Sequence, residues 1–118
     1  MDYNDQPLVN WAAFSEARVS LGNDFIRILG YFREDGIKSV SAIEDALRAK
    51  SAAQLVLPAH TLKSEAYQFG AERLGLLSEH IEMTARRCVE FHESPDELLS
   101  HVVGLREVFD ESLTLLEK

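Results

Sequence analysis

The spacing of the apolar residues is the feature that most restricts how this sequence can fold. Apolar side chains recur every three or four positions through most of the chain, and no stretch alternates apolar and polar residues long enough to indicate a strand. A repeat of this period places apolar side chains along one face of an α-helix. The sequence therefore predicts an all-α protein.

Capping residues and helix breakers divide this pattern into six predicted helices. Asparagine or serine ahead of an apolar stripe marks a helix start, and glycine marks an end. Pro58 lies inside the fourth helix, where its ring predicts a kink, or a break with a restart, just before His60. The predicted boundaries are Asn10 to about Val19, Asn23 to Asp35-Gly36, Ile37 to about Leu47, Ser51 to Gly70, about Ala71 to Phe91, and Ser94 towards the C-terminus.

The length of the chain limits how these helices can pack. A sequence of 118 residues can bury one core but not two, and short connections favour antiparallel neighbours. We therefore predict a single domain over residues 1–118, with residues 1–9 irregular. Its predicted architecture is an up-and-down antiparallel four-helix bundle with a short additional N-terminal helix. The apolar stripes leave no second seam, so a monomer is expected.

The charge balance and the single cysteine argue against several classes of function. The net charge of −8 opposes binding to nucleic acid and to anionic membrane surfaces, because both require a basic face. Cys88 has no partner for an internal disulfide and is expected to be a small buried residue. The N-terminus lacks a basic region followed by an apolar stretch, so no signal peptide is predicted and a cytoplasmic protein is expected.

His60 and Lys63 are the residues that most clearly indicate chemistry. At about 100° per residue, His60 falls roughly 140° from the centre of the apolar face of its helix, towards solvent. Lys63 follows one turn later, where an ammonium group can neutralise a phosphoryl group on the imidazole. Val56, Ser64 and Tyr67 share this face. The pair therefore indicates a site that carries a phosphoryl group.

The residues around His60 resemble those of the histidine-containing phosphotransfer (HPt) domain family. The resemblance implies that His60 accepts a phosphoryl group, through Nε2, from the aspartate of one receiver domain and passes it to another. Lys63 would stabilise the phosphoryl oxygens, and Glu82 would hydrogen-bond the other ring nitrogen. The matching residues are Ala59-His60-Thr61-Leu62-Lys63, Phe69-Gly70-Ala71, Leu74, Leu77 and Ile81-Glu82, within a span from about Leu57 to Glu82.

The same resemblance implies the partners. Receiver domains of response regulators and of hybrid histidine kinases would dock around His60, and the receiver would bring the aspartate, the Mg²⁺ and a second lysine. This chain would need no cofactor or metal of its own. Ser64 stands where the family usually has glycine, and Glu65, Tyr67 and Gln68 stand where small residues are commoner. The predicted partner-binding face comprises Val56, Ser64, Tyr67 and Gln68.

Two alternatives remain open from the sequence. The first is a phosphorylation-independent helical adaptor that binds a response regulator or a kinase, although an adaptor needs neither His60 nor Lys63. The second concerns the site itself: Glu82 could be a solvated surface acid paired with Arg86 at i+4, and the bulky residues near His60 an ordinary solvated face.

Enzymatic and metal-binding functions find little support. The six glycines are scattered and form no nucleotide-binding loop, so an ATP-dependent kinase is not predicted. None of the four histidines has glutamate three residues before it, as a carboxylate-bridged metal site in a helical bundle would require. His80, His92 and His101 are predicted to lie at the surface or at its boundary with the core.

Overall fold

The computed structural model of the protein describes residues 3–118, and α-helices make up most of this range. No strand occurs within it, so the predicted all-α class is confirmed. Short 3₁₀ segments at Tyr3–Asp5, Gly22–Asp24 and Pro95–Leu98 occupy part of the N-terminus and two connections. Met1 and Asp2, from the segment predicted to be irregular, lie outside the described residues. The α-helices are α1, Trp11–Leu21; α2, Phe25–Arg48; α3, Ala52–Gln68; α4, Glu72–Glu90; and α5, Leu99–Leu116.

Helices α2 to α5 form the predicted four-helix bundle, and α1 is the predicted short additional helix. Helix α3 packs against α2 and α4, and α5 completes the bundle against the same two helices. Helix α1 contacts α2 and α3, and the backbone N–H of Asn10 donates to the carbonyl oxygen of Gly70 at 2.7 Å. The largest fully buried side chains are Phe32, Phe69, Phe109, Ile43, Leu55, Leu62, Leu74, Leu77, Ile81, Leu98, Leu105 and Leu116.

Helix α2 is continuous over Phe25–Arg48, so the predicted break at Asp35-Gly36 is wrong. Gly36 is buried, and a Cβ atom at this position would overlap the ring of Phe109 on α5. The glycine therefore permits close approach of the Phe109 ring to α2 and does not form a turn. Burial of the apolar stripe on both sides of Gly36 outweighs its helix-propensity cost of about 1 kcal/mol.

Of the four predicted helix caps, those at Asn10 and Ser51 form side-chain hydrogen bonds, whereas those at Asn23 and Ser94 do not. The side chains of Asn10 and Ser51 each accept the backbone N–H three residues later, at 3.1 and 3.2 Å respectively. Asn23 is not a cap. It lies in the 3₁₀ segment Gly22–Asp24, which leads directly into α2. Helix α2 begins at Phe25, and no side chain caps its N-terminus.

Both ends of α3 lie close to their predicted positions, but the interior of the helix differs from the prediction in one respect. The helix passes through Pro58 without interruption, so the predicted break and restart do not occur. Gly70 follows it with a φ of +78°, the left-handed conformation expected of a helix terminator. A Cβ atom there would also lie 2.6 Å from the carbonyl oxygen of Asn10. The helical start predicted at Ser94 is correct in position: Ser94 precedes the 3₁₀ segment Pro95–Leu98, which leads into α5, although its side chain makes no capping hydrogen bond.

Glu65 lies on the side of α3 that faces α2. It is half-buried, and its Oε1 atom has no hydrogen-bond partner among residues 3–118. Burial first, and then the negative charge of Asp35 on α2, raise the pKa of the Glu65 carboxyl to about 7. Glu65 is therefore part of the contact between α2 and α3, and its ionisation destabilises that contact.

Alanine substitutions at Gly36 and Gly30 test the close contact of α2 with Phe109. Both glycines lie in α2, and both variants gain about 1 kcal/mol of helix propensity. Nothing lies within 4 Å of a Cβ atom at Gly30. We expect Gly36→Ala to be about 1–3 kcal/mol less stable than Gly30→Ala in urea denaturation. Equal stability of the two variants would contradict the contact.

The variant Glu65→Gln tests the cost of ionising this carboxyl. The folded protein holds a proton at Glu65 that the unfolded chain has released, so stability falls as pH rises from 4.5 to about 7. We expect the variant to match wild type near pH 4 and to exceed it by roughly 1–3 kcal/mol at pH 8 in urea denaturation. Glu107→Gln, at an exposed position on α5, controls for the lost charge. A constant difference across this pH range would disprove the shift.

Candidate functional site

Packing of α3 against the core determines the direction in which His60 points. One face of the helix is fully buried, and His60 lies away from it with 50% of its side chain exposed. The predicted orientation towards solvent is therefore confirmed. The residues that fix the rotation of α3 are Leu55, Ala59, Leu62 and Ala66.

Glu82 reaches His60 from the neighbouring helix α4. Its side chain is only 4% exposed, and its Oε2 atom lies 3.1 Å from Nδ1 of His60. The neighbours Ile81 and Ala85 are fully buried, so Glu82 lies at the edge of the core stripe of α4, as the sequence predicted. The alternative of a solvated surface acid is wrong.

Two cations share the Glu82 carboxylate with His60. Lys63 Nζ lies 2.8 Å from Oε1, and 22% of the lysine side chain is exposed. The guanidinium group of Arg86 contacts Oε2 of Glu82 twice, through Nε at 2.9 Å and through Nη2 at 2.8 Å. The sequence signalled the Arg86 contact only as an i+4 pair of opposite charges, and nothing in that spacing showed that the arginine joins the His60 site.

The charges around Glu82 determine its ionisation. Burial would raise the pKa of this carboxyl, but the contacts with Lys63, Arg86 and His60 together lower it to about 2. Glu82 is therefore an anion near neutral pH and can only accept hydrogen bonds. The proton of the shared bond belongs to Nδ1 of His60, so Nε2 of the neutral ring keeps its lone pair.

Tyr67 and Gln68, which were predicted to bind the partner, lie about two turns beyond His60 along α3. The hydroxyl of Tyr67 donates to Oε2 of Glu79 at 3.2 Å, and a Cβ atom at Gly75 would overlap its ring. Burial and the charge of Glu79 raise the pKa of Tyr67 to about 12. Both side chains border a shallow depression shared with α1.

Val56 lies on the other side of His60 and borders an apolar groove of about 380 Å³ between α3 and α4. The groove combines residues of α3 and α4, whereas the predicted face contains residues of α3 alone. Ser64 is exposed beside His60, and its hydroxyl donates to the carbonyl oxygen of His60 at 3.1 Å. The residues that line the groove are Ala53, Val56, Arg86, Val89 and Glu90.

The remaining histidines and the cysteine lie apart from this site. His80 and His92 are exposed, His101 is half-buried with its ring 4.4 Å from that of His80, and Cys88 is buried. Among residues 3–118, no three His, Cys, Asp or Glu side chains are grouped as ligands for a metal ion. No helix in that range is both long enough and apolar enough to cross a membrane.

Comparison with known proteins adds a family and a fold. The family model described as the Hpt domain matches residues 27–117. A similar solved structure is that of histidine-containing phosphotransfer protein B (HptB) from Pseudomonas aeruginosa PAO1. The alignment covers 94% of this chain and 92% of that chain, with a TM-score of 0.80 and 20% identity. At this identity the likeness shows the shared fold alone. No match is found among curated proteins.

Proposed function

Because this chain belongs to the Hpt domain family, we propose that it is a phosphoryl carrier of a two-component phosphorelay. In this proposal His60 accepts a phosphoryl group from a receiver-domain aspartate and passes it to another receiver domain. The observation that carries the proposal is the exposed His60 imidazole, with its Nδ1 atom 3.1 Å from the buried Glu82 carboxylate.

The proposed transfer requires one nucleophilic nitrogen and no redox step. The lone pair of His60 Nε2 attacks phosphorus, the bond from phosphorus to the aspartyl oxygen breaks, and the aspartate leaves as a carboxylate. Nδ1 keeps its proton, so the phosphorylated ring is cationic. The anionic Glu82 beside Nδ1 stabilises this positive charge as it develops, in the way that a buried carboxylate assists a catalytic histidine.

Lys63 is the proposed partner of the phosphoryl oxygens. It lies one turn from His60, and an ammonium group can neutralise part of the charge of a phosphoryl dianion. In the proposal the receiver brings the aspartate and the Mg²⁺, so this chain supplies the nucleophile and the docking surface without a cofactor of its own. The carrier is proposed to act as a monomer in the cytoplasm.

The proposed docking face surrounds His60 on α3 and α4. Val56 and the groove beside it offer apolar surface close to the imidazole, which is where a receiver must pack if its aspartate is to reach Nε2. The Ser64 hydroxyl bonds back to its own helix, so this small side chain leaves room where the family usually has glycine. Tyr67 and Gln68 extend the proposed face towards α1.

Phosphorylated receiver domains from the same organism, offered one at a time, test the proposed function. We expect acid-labile, base-stable label on wild type and on the control His80→Gln, whose histidine is exposed on α4, and none on His60→Gln. The reason is that, within residues 3–118, His60 is the one histidine with a carboxylate on its ring nitrogen and an ammonium group one turn away. Binding of a receiver without any labelling of wild type would instead support the helical adaptor.

A charged substitution in the groove tests the docking face separately from the chemistry. We expect Val56→Glu to slow transfer from a receiver at least tenfold, about 1.4 kcal/mol, because a carboxylate buried beneath the receiver opposes apolar packing. Labelling by phosphoramidate, a small donor that needs no docking, should be unchanged. Val103→Glu, exposed on α5, is the matched control. Normal transfer from receivers to Val56→Glu would contradict this docking face.

A further inference from the structure

The Glu82 carboxylate uses its two oxygens for different purposes. Oε2 accepts from His60 Nδ1 and from Arg86, whereas Oε1 lies 2.8 Å from the Lys63 ammonium group. The lysine proposed to serve the phosphoryl group is thus paired with Glu82 in the structure. Phosphorylation requires Lys63 to change partner, at least in part.

That change of partner would be costly if Lys63 were the only cation at the site. Glu82 has 4% of its side chain exposed, and a buried carboxylate without a counter-charge is strongly disfavoured. It would also face the negative phosphoryl group across the ring. Arg86 removes this difficulty because it stays on Oε2, held at i+4 on the same helix as Glu82.

We propose that Arg86 is a positioning residue for phosphoryl transfer, and this inference rests on the function proposed for His60. Arg86 holds the charge and the orientation of Glu82, so that Lys63 can exchange Oε1 for the phosphoryl oxygens. Since Lys63 leaves the oxygen that does not orient the ring, the bond from Nδ1 to Oε2 persists through the exchange. Arg86 acts only through Glu82 and does not touch the phosphoryl group.

Phosphoramidate isolates this step from partner docking. His60 Nε2 forms a bond to phosphorus, the bond from phosphorus to the donor nitrogen breaks, and ammonia leaves. The Nδ1 proton stays in the bond to Glu82. Lys63 then moves from Oε1 to a phosphoryl oxygen, while Arg86 keeps its contacts with Oε2.

A double-mutant cycle with phosphoramidate tests the inference. We expect Arg86→Gln to slow the labelling of His60 about tenfold in the wild-type background and less than twofold in Glu82→Gln. The neutral amide of Glu82→Gln still accepts from Nδ1 and needs no counter-charge, so Arg86 becomes dispensable there. Arg86→Lys should recover part of the lost rate, and Arg87→Gln, the exposed neighbour, should label like wild type.

Two outcomes of the cycle would overturn the inference. An equal loss in both backgrounds would mean that Arg86 contacts the phosphoryl group directly, and no loss in either would mean that it does not position Glu82. A spectroscopic readout accompanies the kinetics: the ¹⁵N shifts of the His60 ring should show the proton on Nδ1 in wild type and a mixed tautomer in Arg86→Gln. An unchanged tautomer in that variant would likewise count against the proposal.

These experiments distinguish a failure of the Arg86 inference from a failure of the proposed function. If no receiver labels wild type, the phosphorelay role is lost, but the ring shifts of the unphosphorylated protein still decide whether Arg86 positions Glu82. If receivers label wild type and Arg86→Gln behaves normally in both assays, the phosphorelay role stands and the role of Arg86 falls.

Discussion

The site depends on one ionised carboxylate buried at the contact between α3 and α4. Such a charge is unstable in a core unless cations and hydrogen-bond donors surround it. Glu82 contacts Lys63 and His60 on α3 and Arg86 on its own helix, α4. These three contacts lower the pKa of the Glu82 carboxyl to about 2 despite its burial. The orientation of the imidazole therefore follows from the need to satisfy Glu82, and the geometry of the site and the stability of the two helices are coupled.

The core makes this arrangement possible by fixing both helices in rotation. On α3, Ala59 and Leu62 are fully buried and fix the rotation of the helix. Turning the His60 imidazole inward would therefore expose their apolar surface. On α4, the fully buried Ile81 places Glu82 at the edge of the apolar stripe, from which its carboxylate reaches the partly exposed His60 ring. The packed interior thus determines the position of the polar groups at its edge.

The sequence predicted features that depend on neighbouring residues and missed those that depend on contacts between distant helices. The rotation of His60 and the caps at Asn10 and Ser51 depend on residues within a turn or two, and local periodicity was enough for them. Gly36 was misread as a break because its purpose lies in the Phe109 ring of another helix. The burial of Glu82 and the inclusion of Arg86 likewise depend on the distance between α3 and α4, which no spacing along the chain encodes.

The charge balance of the site suits the proposed carrier, which must release its phosphoryl group. Lys63 and Arg86 together exceed Glu82 by one positive charge, so the site is locally cationic on a chain whose net charge is −8. A phosphoryl dianion on a ring that becomes cationic would bring the site close to neutrality. Each further cation would strengthen the hold on the phosphoryl group and slow its return to an aspartate. With one cation committed to Glu82, the proposed carrier would stabilise the phosphoryl group without trapping it.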